Sequence, residues 1–243
     1  MKHLTLILAL ALAAPALAQT APDFEILDAL LTQHVDAGGR VDYVAFKKDE
    51  PRLDAWLAVA AAAKPDAFET RAARLAFWIN AYNAGCIKRV LTLWPVENVT
   101  KVPDFFQAKA LKFAGRDMSL DDVEHGVIRK IFADPRVHAA LVCAGKSCPK
   151  LRKGAYPAGD LDGALDAAMK EFLADPARNR FDPATGTAHL SQIFKWYADD
   201  FKLESGSLTG FLKPFAPPAA QELLARPDLK VDYLDYDFAL NAR

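Results

Sequence analysis

The 243-residue sequence predicts an α+β fold, a helix-rich single domain around a small, mostly antiparallel sheet. Three observations lead there. The run from Arg71 to Leu93 is the longest stretch with apolar residues at helical spacing. Two short segments, KALKFAGRDMSL and LKVDYLDYDF, carry strand-like patterning instead. No linker-like tract separates the elements, so residues 19–243 read as one unit.

The chain begins MKHLTLILALALAAPALAQT, with a positive start at Lys2 and His3, an apolar stretch from Leu4 to Leu12 and a small-residue cut site at Ala16-Leu17-Ala18. This is the pattern of a signal peptide, residues 1–18, and implies a periplasmic or secreted protein. Its apolar part is too short to span a bilayer comfortably, and no later span follows. From Asp23 to Val35, Phe24, Leu27, Leu30 and Leu31 recur at helical spacing; AGGR breaks that helix, and VDYVAF reads as a short extended piece. AWLAVAAAAK is helical, and the long helix from Arg71 stops at Trp94-Pro95. KALKFAGRDMSL is a hairpin with its turn at Ala114-Gly115-Arg116-Asp117. Ser119 with Asp122 three residues on is a capping-box pattern, opening a helix to about Phe132. RVHAALVC reads as a central strand, apolar on both faces. Leu161 to Leu173 is helical, Thr187 to Leu190 a short strand, Ser191 caps a helix through Phe201, and the tail is a late strand docking on the sheet.

Charge is nearly balanced, 30 basic against 31 acidic residues, which argues against nucleic acid or anionic lipid as a partner. Three cysteines are too few for a disulfide scaffold, and an odd count leaves at least one thiol unpaired within a monomer. There is no Gly-rich phosphate loop, metalloprotease helix motif or nucleophile-elbow serine, and Cys143-x4-Cys148 with scattered histidines is a weak zinc pattern. Neither a metal nor a cofactor is expected.

On a wheel of about 100° per residue, Leu120, Val123, Val127, Ile128 and Ile131 form one apolar arc, with Glu124 in its middle and His125 off its edge. A carboxylate on a core face is costly unless bonded or paired, so Glu124 is either a buried anchor or a group that orients a histidine or moves protons. In the long helix, Leu75, Trp78, Ile79, Tyr82, Cys86 and Val90 share a face, with Asn83 within it and Asn80 at its rim. Cys86 there is an inert core residue, and Asn80 and Asn83 either brace backbone or lend polarity to a site. Alternation along RVHAALVC puts Cys143 and His138 on opposite faces, so the two do not meet across the strand.

The loop CAGKSCP concentrates the remaining chemistry. Cys143 or Cys148 is the candidate nucleophile, His125 or His138 its base and Glu124 the orienter of that base. Gly145 lets backbone amides turn toward a site, those near Gly145 to Ser147 would hold an oxyanion, and Lys146 would favour a thiolate. A Cys143–Cys148 disulfide across the loop stays open beside this reading.

Five blocks, FWINAYNAGCIKRVL, LDDVEHGVIRKIF, RVHAALVCAGKSCPKLRKGAY, LSQIFKWYADDF and YLDYDFALN, resemble in this order the DUF547 family, a domain of unknown function. The likeness runs roughly from Val41 to Asn241 and maps the family pattern onto Trp78, Asn80, Tyr82 and Asn83, then Glu124, His125 and Arg129, then His138, Cys143, Ser147 and Pro149. It implies that the strand-end cysteine is typical while serine can replace Cys148, which puts the functional weight on Cys143 and weakens a disulfide as a common device. Ala139, Lys150 and Phe238 depart from the pattern as packing changes. By fold-level analogy the domain is loosely papain- or transglutaminase-like.

The expected function is a cysteine-dependent hydrolase or acyltransferase acting on a peptide, amide or related ligand. The alternative is a non-catalytic binding or adaptor domain of the cell envelope that takes a peptide or glycan. A third reading is a redox role for the Cys143/Cys148 pair.

Overall fold

The computed structural model describes residues 23–243, so the expected signal peptide at 1–18 lies outside the described residues. Helices α1 (Glu25–His34), α2 (Tyr43–Phe46) and α3 (Glu50–Ala62) lead into α4 (Arg71–Thr92), which Thr70 caps by accepting the Ala73 amide at 3.0 Å. Of the 22 residues of α4, 17 are buried, so neighbours cover it all round rather than along one stripe. Helix α3 packs against both α1 and α4. Asp42 corrects the extended reading of VDYVAF: its carboxylate accepts the Ala45 amide at 2.8 Å and turns the segment into α2.

Strands β1 (Leu111–Phe113) and β2 (Arg116–Met118) form the expected hairpin, with Phe113 opposite Arg116. The turn is Ala114-Gly115, at φ 50° and 76°, the left-handed pair that a two-residue hairpin of right-handed twist needs. Helix α4 meets this hairpin at Gly85, where a Cβ would lie 2.8 Å from Leu111 Cδ1.

The next helix opens as expected. The Ser119 hydroxyl accepts the Asp122 amide at 2.9 Å, and the Asp122 carboxylate accepts the Ser119 amide at 3.0 Å. Asp122–Phe132 is then a π-helix, whose wider turn places residues five apart above one another. Val123 and Ile128, and likewise Val127 and Phe132, are buried together. Ile131, expected on the buried arc, is 65 % exposed. The wheel had assumed the narrower α turn.

RVHAALVC is not a strand. Asp134 accepts the Arg136 amide at 3.1 Å, and Pro135 fixes the first position of a 3-10 helix, Pro135–Ala139. From Ala140 to Val142 the chain is buried without a strand neighbour because Asn83 supplies the pairing: Nδ2 donates to Ala140 O at 2.9 Å, and Oδ1 accepts the Val142 amide at 3.0 Å.

Helix α5 (Leu161–Ala174) precedes a second sheet of β3 (Arg180–Asp182), β4 (Thr187–Leu190) and β5 (Lys230–Tyr233). β3 and β4 pair antiparallel, β4 and β5 parallel. The strands thus make two small, mostly antiparallel sheets rather than one. The helix expected from Ser191 to Phe201 breaks at Tyr197 (φ −111°, ψ 26°) into α6 (Ile193–Trp196) and α7 (Ala198–Ser205), with α8 (Leu208–Leu212) and α9 (Pro218–Leu224) beyond. After β5 the tail threads back through the molecule, with bridges from Ala239 to Asn98, Leu240 to Gly145 and Ala242 to Val41. No described helix is long and apolar enough to cross a membrane.

Candidate functional site

The π-helix, the α6–α7 corner, the Cys143 loop and the tail enclose a cavity of about 170 Å³. Glu124, His125, His138 and Cys143, the four residues singled out for chemistry, all line it. His138 and Cys143 do meet around one space. The opposite-face argument fails because the segment between them is a 3-10 turn and an irregular run, without the alternation of a strand.

Cys143 and Cys148 are joined in a disulfide, their Cα atoms 6.1 Å apart. In this form Cys143 carries no thiol, and Lys146, exposed and outside the cavity lining, has no thiolate to favour. The Tyr236 hydroxyl lies against the bond, 3.4 Å from Cys143 Sγ and donating to Cys148 Sγ at 3.3 Å. The loop amides expected to hold an oxyanion are already engaged. Gly145 N–H donates to Cys148 Sγ at 3.3 Å, Lys146 N–H to Ala239 O at 2.8 Å and Ser147 N–H to Asp237 O at 3.0 Å. These residues brace the loop against the tail. Gly145 lets the tail approach closely there, since a Cβ would sit 3.3 Å from Asp237 O and Phe238 Cα, tighter than ordinary contact.

Behind the cavity stands a charged network centred on Asp200. Its Oδ2 lies 2.8 Å from His138 Nε2, and Arg129 clasps both carboxylate oxygens, at 2.6 and 3.0 Å. The bond to His138 first, and then that to Arg129, hold the Asp200 carboxyl well below the usual carboxylate range against the opposing effect of burial. His138 is buried and stacks on Tyr197 at 4.0 Å between centroids. The exposed His125 lies apart from this dyad, its Nδ1 2.9 Å from Arg129 Nη1. Glu124, read as either a buried anchor or the orienter of a histidine, accepts the Tyr197 hydroxyl at 2.7 Å and bonds to neither histidine. The carboxylate bonded to a cavity histidine is that of Asp200. Burial pushes the Tyr82 and Tyr197 hydroxyls up, and the Glu124 charge adds to it, so both hold their protons.

Asn80 and Asn83 lie outside the cavity lining as backbone braces. Asn80 Nδ2 donates to Tyr156 O at 2.9 Å, and its Oδ1 accepts the Tyr156 amide at 2.8 Å. Cys86 is buried in α4 with a free thiol that burial pushes up to about 12, the inert role expected of it. Reasoning from sequence missed Asp200, Trp196, Tyr197 and Tyr236. The available signal was composition: WYADDF sets an acid beside a core phenylalanine, and Phe201 is fully buried.

Residues 65–173 match a family model described as "Protein of unknown function, DUF547". No curated protein and no solved structure matches the chain. The matched stretch contains Glu124, His125, His138 and Cys143, whereas Tyr197, Asp200 and Tyr236 come from beyond it.

Proposed function

Since the chain carries a DUF547 domain at residues 65–173, a description that names no activity, we propose that the cavity is a thiol-dependent acyl-transfer site, a hydrolase or acyltransferase kept latent by the Cys143–Cys148 disulfide. One observation carries this reading. Cys143 and His138 border the same cavity, and His138 is held from behind by a carboxylate, the relation of nucleophile, base and orienter.

A dithiol reductant opens the disulfide to two thiols and is itself oxidised to a disulfide. With His138 Nε2–H held on Asp200, Nδ1 is the ring nitrogen left to take the Cys143 proton. The sulfur then bonds to the acyl carbon. As the bond from that carbon to the alcohol or amine breaks, the imidazolium returns the proton to the leaving group. Water, deprotonated by His138, attacks the thioester, releases the acid and restores the thiol. Because the Lys146 and Ser147 amides are engaged by the tail, the oxyanion donor in reach is the Tyr236 hydroxyl, 3.4 Å from Cys143 Sγ. Export to an oxidising compartment, as the first 18 residues suggest, would keep the resting form closed.

The test is turnover of a panel of activated esters and amides before and after reduction. Hydrolysis is expected only after reduction and is lost in Cys143→Ser and His138→Ala; a reduced chain that turns over no member of the panel overturns the proposal. The same disulfide favours a second reading, a binding pocket without chemistry. That reading gains if Cys143→Ser folds, keeps ligand binding and neither redox form turns anything over.

A further inference from the structure

If the cavity is the functional site just proposed, its lining says more about what enters it. One wall is aromatic: Trp196 and Tyr236 lie 4.8 Å apart between ring centroids, Tyr236 and Phe238 4.6 Å, and Trp196 is near-parallel to Phe238 at 18°. Trp196 is 49 % exposed, so this wall reaches the solvent at the cavity mouth. Tyr197 offers only an edge, because His138 stacks on it and the Arg129 guanidinium lies over its ring at 4.8 Å.

The ionisable groups bordering the space are two carboxylates, two histidines (His138 paired with Asp200, His125 with Arg129) and tyrosine hydroxyls beside the disulfide. Glu124 and Asp121 line it, and among the described residues no lysine or arginine does. The nearby Arg129 is engaged bidentately by Asp200. Burial first, and the Glu124 charge after it, holds the Tyr82, Tyr197 and Tyr236 hydroxyls protonated, although Arg129 opposes this at Tyr197 and Arg178 at Tyr236. An anionic ligand would meet Glu124 with no lysine or arginine in the lining to offset it. A neutral sugar would stack on the same rings but leave the Glu124 charge without a countercharge. A cation is attracted to the faces of those rings, most strongly to Trp, and a partly buried carboxylate completes its neutralisation.

We propose that the cavity binds a small organic cation, an alkylated or quaternary ammonium group, against Trp196, Tyr236 and Phe238 with Glu124 as its countercharge. The substrates of the thiol site are accordingly esters or amides that carry such a group.

Calorimetric titration of the oxidised full-length chain with choline, and with its neutral isostere 3,3-dimethylbutan-1-ol, tests this without any turnover. Choline should bind at least about tenfold more tightly than the alcohol, the scale of a desolvated cation–π contact. Glu124→Gln, which keeps an acceptor for the Tyr197 hydroxyl, and Trp196→Ala at a half-exposed position should each weaken choline by about tenfold. Equal affinity for the two probes, tighter binding of acetate, or no choline binding by the wild type overturns the proposal. Choline binding without turnover in the reduced chain removes the thiol mechanism and leaves the cation site standing. Turnover of neutral esters without choline binding does the reverse.

Discussion

Replacing Asn83 with alanine removes the side chain that serves as strand partner to the segment before Cys143. The wild-type amide is 3 % exposed and makes two bonds, donating to Ala140 O at 2.9 Å and accepting the Val142 amide at 3.0 Å. Each bond has a net worth of about 1 kcal/mol, but truncation leaves a carbonyl and an amide buried without partners, at about 1–3 kcal/mol apiece. The sum is roughly 2–6 kcal/mol, a large part of the stability of an ordinary domain. Urea unfolding followed by far-UV circular dichroism measures it, with an unchanged slope certifying that the change is one of stability. Asn83→Asp sharpens the test. It keeps the acceptor for Val142 but sets an oxygen against Ala140 O, so it should cost at least as much as alanine near neutral pH. It should recover as the pH falls and a protonated carboxyl can donate. A loss below about 1 kcal/mol for alanine, or an aspartate variant as stable as wild type at pH 7, would refute the bracing role.

Thiol counting is equally direct. The native chain should show no reactive thiol at pH 8, because Cys86 is buried with its thiol pushed up to about 12 and Cys143 and Cys148 are bonded to each other. Denaturation without reductant should expose one thiol, and reduction all 3 cysteines; a second thiol before reduction means the disulfide is absent. Asp200 binds its proton less readily folded than unfolded, since His138 and then Arg129 hold its carboxyl down. Its stabilisation is therefore complete above the unfolded value of about 4 and is lost as pH falls from there toward the folded one. The stability gap between wild type and Asp200→Asn should narrow below about pH 4, and a gap that stays constant contradicts the pairing. Gly145→Ala sets a methyl 3.3 Å from Asp237 O and Phe238 Cα, so the tail must give by a few tenths of an ångström; a melting temperature lowered by the equivalent of about 1 kcal/mol is expected, and an unchanged one means the tail yields to the methyl without cost.

The elements legible in the sequence are those whose causes are local. Helical spacing located α4, the turn read at Ala114-Gly115-Arg116-Asp117 located the hairpin though its last two residues belong to β2, and the Ser119/Asp122 pair located the start of the π-helix. Glu124, His125, His138 and Cys143 could be picked out as candidates that line one cavity because a carboxylate on an apolar face, the few histidines and cysteines beside a glycine stand out whatever the fold. What failed depends on distant partners. RVHAALVC has a strand's composition, yet its partner is one amide 57 residues upstream. Glu124 finds Tyr197 73 residues away, and His138 finds Asp200 62 residues away. Nothing local separates Asp200 from Asp199, although the first side chain is 23 % exposed and the second 96 %. The π-helix misled for a different reason, since a wider turn moves every later residue on the wheel.

The tail that supplies Tyr236 and Phe238 also sets an order of assembly. A chain leaves the ribosome from its N-terminus, and Tyr236 emerges 93 residues after Cys143, roughly 5–20 s later at ordinary rates of synthesis. Until then the Lys146 and Ser147 amides lack their acceptors, and the cavity lacks its aromatic wall. The Cys143–Cys148 bond closes over a separation of only 5 residues and draws no covalent partner from the tail. The disulfide can therefore be in place before the cavity it borders is complete. A chain cut short before Tyr236 would keep the disulfide and have no aromatic wall for a ligand to meet.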